Sequence, residues 1–395
     1  MVEIKDIVEA QEHLRTFVHK TPLIYSISLS RMTTAEVYLK AENLQKTGSF
    51  KARGAFNKMR FLQGQKVIAA SMGNHAQGVA FAAAGLGIKA EIVMPVTTPI
   101  VKEEATKGYG AEVVLYGENF DDALRYALSR RDYTFVHAFD DDLVIAGQGT
   151  VGMEIMEELK EIDSVLVPVG GGGLVSGVAI AFKSLSPKTE VIGVQTESAL
   201  SAYVSFREKE IRESPPRPTL ADGIAVGRIG ERTFRIMSRY VDDMVVVKED
   251  SIAMAILLFL ERKKLVVEGA GAVPLAALLE NRERFRGKKV VLVVSGGNID
   301  FTLIDRIIHK GLNATGRVGV FEVTVDDTPG SLHSLTGVIA SHRGNILDVV
   351  HDRLASDLPV GKTRVIVTLE TRGKLFFDEI VSELKTKGFE TKRRI

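Results

Sequence analysis

Ser164-Val-Leu-Val-Pro-Val-Gly-Gly-Gly-Gly-Leu174 is the stretch on which the fold turns. Residues 164–169 are a short apolar run without polar alternation, the pattern of a strand covered on both faces. Four glycines follow, and a helical pattern then runs from 174 to 185. Similar apolar runs occur at 66–70, 90–95, 191–194 and 289–294. Residues 37–40 are strand-like, and helical patterns such as 75–84 fall between the runs. This alternation predicts an α/β fold with helices on both faces of its sheets.

The pattern changes near residue 311. Gly311-Leu-Asn-Ala-Thr-Gly-Arg317 is small and polar and reads as a linker. Beyond it, Phe321, Val323 and Val325 alternate with Glu322, Thr324 and Asp326, a half-buried strand. Thr328 reads as a helix N-cap with Pro329 at the first helical position. Leu332, Leu335 and Ile339 share a helical face, and Gly344 is placed to stop that helix. Strands at 345–353 and 363–371, a helix marked by Phe377, Ile380, Val381 and Leu384, and a strand at 389–393 complete a βαββαβ unit. The expected domains are residues 1–310, with a smaller subdomain at 52–148 inserted in a larger one, then a linker at 311–317, then 318–395.

The chain has 395 residues, 51 Lys plus Arg against 50 Asp plus Glu, and no cysteine. The balanced charge argues against a nucleic-acid stripe or an anionic-membrane patch. Disulfides, thiolate metal sites and a cysteine nucleophile are excluded. No apolar run approaches the roughly 18 residues of a spanning helix, and the first dozen residues lack a signal-peptide core. A cytoplasmic protein is expected.

Four polar loops follow the apolar runs. They are Lys46-Thr-Gly-Ser-Phe-Lys51, Ser71-Met-Gly-Asn-His-Ala-Gln-Gly78, the tetraglycine Gly170, Gly171, Gly172, Gly173 with Leu174, and Ser295-Gly-Gly-Asn298. Loops outside the carboxyl ends of strands share ligand sites in open α/β sheets. The glycine run is either a tight turn or a phosphate cradle, in which residues without Cβ let an anion approach backbone N–H groups at a helix start. It matches neither a Walker A loop nor the Gly-x-Gly-x-x-Gly spacing. A phosphate without its own lysine indicates a small monophosphate cofactor. Lys51 opens a helix, an end that favours anions, so a lysine held there is a candidate for a depressed pKa and for Schiff-base chemistry. Lysine and cradle together point to pyridoxal phosphate. Ser295 is then a neutral partner for the pyridine nitrogen, Asn74 a hydrogen-bond partner for the ring hydroxyl, and Phe50 a cover for the ring face.

Taken together, these residues resemble the fold-type II pyridoxal-phosphate enzymes, whose catalytic part is tryptophan-synthase-β-like, and within them the threonine/serine dehydratase branch. The motifs carrying the resemblance are residues 42–55, Ser71–Gly78, Gly170–Leu174, Leu220-Ala-Asp-Gly-Ile224, Glu268-Gly-Ala-Gly-Ala272 and Ser295–Asn298, in family order. The resemblance implies that Lys51 attaches the cofactor and removes the substrate Cα proton. Phe50 packs on the ring, Asn74 holds its hydroxyl, Gly170–Leu174 bind phosphate and Ser295 faces the ring nitrogen. Ser71, Asn74 and His75 hold the substrate carboxylate. The implied reaction converts L-threonine to 2-oxobutanoate and ammonia, with L-serine secondary. Met72 stands where racemases of this fold carry a second serine, which predicts elimination with little racemisation. Gln195 and Ser201 stand where some relatives place carboxylates for a divalent cation, so no divalent metal site is expected.

The C-terminal unit resembles an ACT domain. The resemblance implies an amino-acid effector site formed by Asp327, Gly330, Leu332, Asn345 and Ile346, and a homodimer or homotetramer. Read on its own, Pro329-Gly330 is either a turn signal or a helix start suited to a carboxylate. A serine-specific dehydratase, a racemase and a non-catalytic amino-acid sensor are the alternatives.

Overall fold

A computed structural model of the chain describes residues 1–354 and 356–394. Two compact units divide at Ile299/Asp300.

The first unit contains two sheets. The larger has six strands in the order Leu23–Tyr25, Glu36–Ala41, Lys289–Val294, Ser164–Pro168, Glu190–Thr196 and Asp243–Val247, all parallel except the first. The smaller sheet is parallel, in the order Glu112–Leu115, Ala90–Met94, Val67–Ala70 and Thr134–Phe135. Its strands fall in the chain between Glu36–Ala41 and Ser164–Pro168, and each sheet has its own core. Central strands are closed on both faces: Val290 to Val294 and Val67 to Ala69 are inaccessible to solvent. That coverage explains their unbroken apolar runs. The four edges are Leu23–Tyr25, Asp243–Val247, Glu112–Leu115 and Thr134–Phe135, none of them among the expected strands. Three are only two to four residues long and partly exposed, whereas Asp243–Val247 carries the apolar run Met244–Val247.

The second unit begins with the helix Phe301–Ala314 and continues as βαββαβ, with antiparallel sheet order Asn345–Asp352, Lys362–Glu370, Val318–Asp326, Glu390–Arg394. Helices Ser331–Ser341 and Lys374–Thr386 close its core of Phe321, Val323, Val365, Val367, Leu335, Ile339, Phe377 and Leu384. Three local expectations are corrected. The small polar segment 311–317 is not all linker. Residues 311–314 complete the helix, because Ile304 and Ile307 bury an apolar stripe that carries the segment along. The helix after the first strand is capped by Gly330 at φ +96°, not by Thr328, whose hydroxyl meets that of Ser331 at 3.1 Å. Its far end turns on Arg343 at φ +56° rather than on Gly344. Leu332 is about one-third exposed, whereas Leu335, Val338 and Ile339 are buried.

Candidate active site

Lys51 is the first residue of the helix Lys51–Met59, and no side chain caps that helix start. Its Nζ donates to the carbonyl of Ala138 at 2.9 Å. Burial lowers its pKa to about 8, against the attraction of Glu268. A lysine near 8 is partly neutral at physiological pH, the form that attacks a carbonyl carbon or takes a proton.

The helix is anchored from below by a buried ionic cluster. Arg53 donates from Nε and Nη2 to the two oxygens of Glu42, both at 2.8 Å, and from Nη1 to Glu154 at 2.6 Å. Lys40 donates to Glu154 and to the carbonyl of Thr21, each at 2.6 Å. All four charged side chains are nearly inaccessible.

Tertiary structure brings the four loops together. Ser49 bridges to Gly296, joining the first loop to the fourth. Asn298 Nδ2 donates to the Thr47 carbonyl at 2.9 Å and to Asn74 Oδ1 at 2.8 Å, joining the first, second and fourth. Asn74 Nδ2 lies 2.9 Å from both oxygens of Glu268. Ala138 holds Lys51, and the next residue, Phe139, packs against the third loop. A Cβ on Gly171 would fall 2.3 Å from the Phe139 ring, and one on Gly173 would fall 3.0 Å from Phe139 Cα.

The glycine loop fits a phosphate. Gly172, at φ +93°, heads the helix Gly173–Leu185, whose first N–H groups receive no side-chain cap. The helix starting at Asn74 is likewise uncapped by a side chain. Uncapped helix starts offer N–H donors and a positive dipole end to an anion. Thr233 Oγ1 occupies the Gly171 carbonyl at 2.7 Å, and a Cβ on Gly172 would fall 2.8 Å from Thr233 Cβ. The glycines are therefore demanded by their walls as well as by the open helix start.

The expected residues occupy these positions. Phe50 precedes the lysine, with its ring centroid 5.2 Å from Nζ. Ser295 is buried at the end of strand Lys289–Val294, and its carbonyl accepts from Phe50 N–H at 3.1 Å. Leu174 is buried in the core beneath the glycine loop. Ser71 Oγ accepts from Gly73 N–H at 3.2 Å. The His75 side chain is buried and engaged: its Nε2 lies 2.9 Å from the Val136 carbonyl. Burial, the Lys51 charge and nearby His137 push it down to about 3, so it is a neutral ring donating to that carbonyl. Gln195 Oε1 accepts from Tyr203 N–H at 2.8 Å, and Ser201 Oγ donates to the Val226 carbonyl. Among the described residues, no group of three or more His, Asp or Glu side chains is arranged to hold a metal ion.

Sequence reading assigned no role to three features here. Glu268 is buried, and burial raises its carboxyl to about 7. Its signal was a lone acid ahead of Gly-Ala-Gly-Ala. Asn298 joins three loops. The stretch His137-Ala-Phe-Asp140 supplies the carbonyl for Lys51 and the wall for the glycines. Asp140 Oδ1 also accepts from the N–H groups of Arg232 and Thr233. Nothing in that tetrapeptide's composition marks it.

The expected effector residues do not meet within the second unit. Asp326 pairs with Lys362, whereas Asn345 pairs with Glu370, which also faces Val318. Asp327 and Gly330 therefore lie at one end of the sheet, and Asn345 and Ile346 at the other. Eight strand steps separate the two ends, roughly 26 Å.

Comparison with known proteins shows the family. The family model for "Pyridoxal-phosphate dependent enzyme" matches residues 14–296. The chain is 50% identical to L-threonine ammonia-lyase of Thermotoga maritima over 99% of both chains. It is similar in structure to the processed form of threonine deaminase isoform 2 from Solanum lycopersicum. That match has a TM-score of 0.74 and 39% identity, and covers 78% of this chain and 91% of that one. It is also similar to maize serine racemase, with a TM-score of 0.74 and 33% identity over 79% and 98% of the two chains. The chain, with its lysine, glycine cradle and converging loops, belongs to the pyridoxal-phosphate dependent enzyme family.

Proposed function

We propose that this chain is a threonine ammonia-lyase, converting L-threonine to 2-oxobutanoate and ammonia, with L-serine a secondary substrate giving pyruvate. The observation that carries the reading is Lys51. It is a lysine brought down to about 8, tethered to the Ala138 carbonyl, beside a glycine loop that opens on an uncapped helix start.

Bound pyridoxal phosphate would supply an electron sink for the pair left at the substrate Cα. The protein's own groups do the rest. Gly170 to Leu174 would hold the phosphate with backbone N–H groups. Phe50 would cover the ring, and Ser295 would offer a neutral hydroxyl to the ring nitrogen. Asn74 would donate to the ring hydroxyl oxygen. Lys51 Nζ would hold the proton taken from Cα. The substrate carboxylate would be received by Ser71 and, through backbone N–H groups, by Asn74 and the rest of that helix start. His75 would serve there through its backbone, because its side chain is neutral and engaged. Met72, about one-third exposed, has no proton to exchange, so elimination is favoured over racemisation.

The second unit is read as an ACT domain. Its βαββαβ order, and the placement of Asp327, Gly330 and Leu332 opposite Asn345 and Ile346, support an effector site completed only by a second copy. That arrangement accords with a homodimer or homotetramer in the cytoplasm, controlled by an end-product amino acid such as isoleucine.

The test is 2-oxo acid formation from L-threonine and L-serine, with cofactor, with and without isoleucine. Threonine turnover exceeding serine turnover, and changed by isoleucine, is the expected result. Absence of oxo acid from both substrates would refute the lyase reading. Indifference to isoleucine and to removal of residues 317–395 would refute the regulatory one.

A further inference from the structure

We infer that Glu268 is a positioning residue of the cleft: together with Asn298 it fixes which end of the Asn74 amide faces the cofactor. The inference rests on the assignment of Asn74 as the donor to the ring hydroxyl oxygen.

A side-chain amide is two-faced. A half-turn about its last bond exchanges a donor for an acceptor, and the shape barely changes. At Asn74 both ends are committed. The NH2 group lies 2.9 Å from each oxygen of Glu268, and an ionised carboxylate only accepts. The carbonyl oxygen accepts from Asn298 Nδ2 at 2.8 Å, and that same nitrogen is tied to the Thr47 carbonyl at 2.9 Å. A flipped Asn74 would set oxygen against carboxylate and NH2 against NH2. Glu268 and Asn298 exclude that state from opposite sides. Because Nδ2 is equidistant from the two carboxylate oxygens, one N–H aimed between them serves both, and the second N–H is left for a ring oxygen.

The pocket around Glu268 is shaped for this task. The residue stands at the N-cap position of the helix Gly269–Glu280, yet its side chain does not cap that helix. A glycine from the fourth loop makes room for the carboxyl group: a Cβ on Gly296 would fall 2.3 Å from Oε1. The groups facing Glu268 are Asn74, Asp222, Lys102 and Lys51. Burial pushes the carboxyl up, joined by Asp222. The Asn74 hydrogen bond and the two lysines oppose it, and the outcome is about 7. A protonated Glu268 gives up one acceptor oxygen, so the hold on Asn74 loosens as pH falls through neutrality.

The test uses the full chain reconstituted with pyridoxal phosphate. The absorbance of the bound cofactor and its dissociation constant are followed from pH 5.5 to 9. The wild type is expected to show a spectral step with a midpoint near 7 and weaker cofactor binding on the acid side. In Glu268→Gln the step disappears, and the dissociation constant stays about tenfold above the alkaline wild-type value, so that the two proteins converge on the acid side. An amide at 268 can donate as well as accept, so it no longer rejects the flipped Asn74. Glu268→Asp keeps a titrating acid and is expected to recover the step in part. Asn298→Ala, tested independently, should weaken binding comparably but retain the step, because Glu268 is intact. A Glu268→Gln protein with the wild-type melting temperature, spectrum and dissociation constant at all pH values overturns the inference. If Glu268→Gln does not fold, unchanged cofactor binding in Asn298→Ala overturns it instead. A wild type that takes up no cofactor defeats the assignment of the site itself. A wild type that binds cofactor and forms 2-oxobutanoate while Glu268→Gln matches it defeats the positioning role alone.

Discussion

Two buried charged regions lie within a few residues of each other and behave in opposite ways. Beneath the Lys51 helix, Lys40, Glu42, Arg53 and Glu154 bring two positive and two negative charges together, each with bonded partners. Burial alone would raise Glu42, but the Arg53 guanidinium more than reverses this and leaves it below the usual carboxylate range. In the cleft above, Glu268 faces an amide rather than a guanidinium. Burial prevails there, carrying Glu268 up to about 7 and Lys51 down to about 8. In the first region opposite charges are paired and fixed by hydrogen bonds. The second holds groups whose charge changes near neutral pH, as proton transfer requires. Matched charges build a foundation, and mismatched ones are left able to react.

Breaking the foundation should have the largest effect. Arg53→Met strands Glu42 and Glu154 without their guanidinium and is expected to cost about 3–5 kcal/mol of stability. Chemical denaturation measures it. A loss below 1 kcal/mol would mean the cluster is solvated or dispensable, and the contrast between the two regions would collapse.

The cleft can be tested more finely through Lys51. In the cofactor-free chain, its reaction with an amine-selective carbonyl reagent needs neutral Nζ. As pH falls below 8 a growing fraction is protonated and unreactive, so the rate should rise with pH through a midpoint near 8, well below that of a surface lysine. Peptide mapping of the labelled site follows it. A midpoint near 10.5 would show that Nζ is solvated.

The smallest effect is expected at the cleft's rim, where Lys102 meets Asp222 at 3.1 Å, both partly or largely exposed. Exposed pairs contribute little, so Lys102→Gln should change stability by less than about 1 kcal/mol. Lys102 also opposes the rise of Glu268, and its loss should move the acid limb of the cofactor titration upward in pH. An unmoved limb would separate the rim from the carboxyl group.

The sequence by itself determined the α/β class, the βαββαβ tail and four of the loops that build the site. Lys289–Val294, Ser164–Pro168 and Val67–Ala70 are central strands, and continuous burial writes itself into composition as an unbroken apolar run. Lys51 and the tetraglycine were legible because a lysine at a helix start and four residues without Cβ contradict local preference, and such contradictions mark chemistry. Tertiary structure alone decided the edges and the company each residue keeps. Edge strands such as Glu112–Leu115 are half-exposed and leave no periodic trace. Ala138 serves through its carbonyl, which every residue has. Glu268 and Asn298 matter through Asn74, a residue about 200 positions away in the chain, and the wall that makes Gly171 obligatory is a phenylalanine from another loop. The separation of Asp327 from Asn345 at opposite ends of one sheet was likewise invisible, because strand register is set by pairing between segments and not by either segment alone.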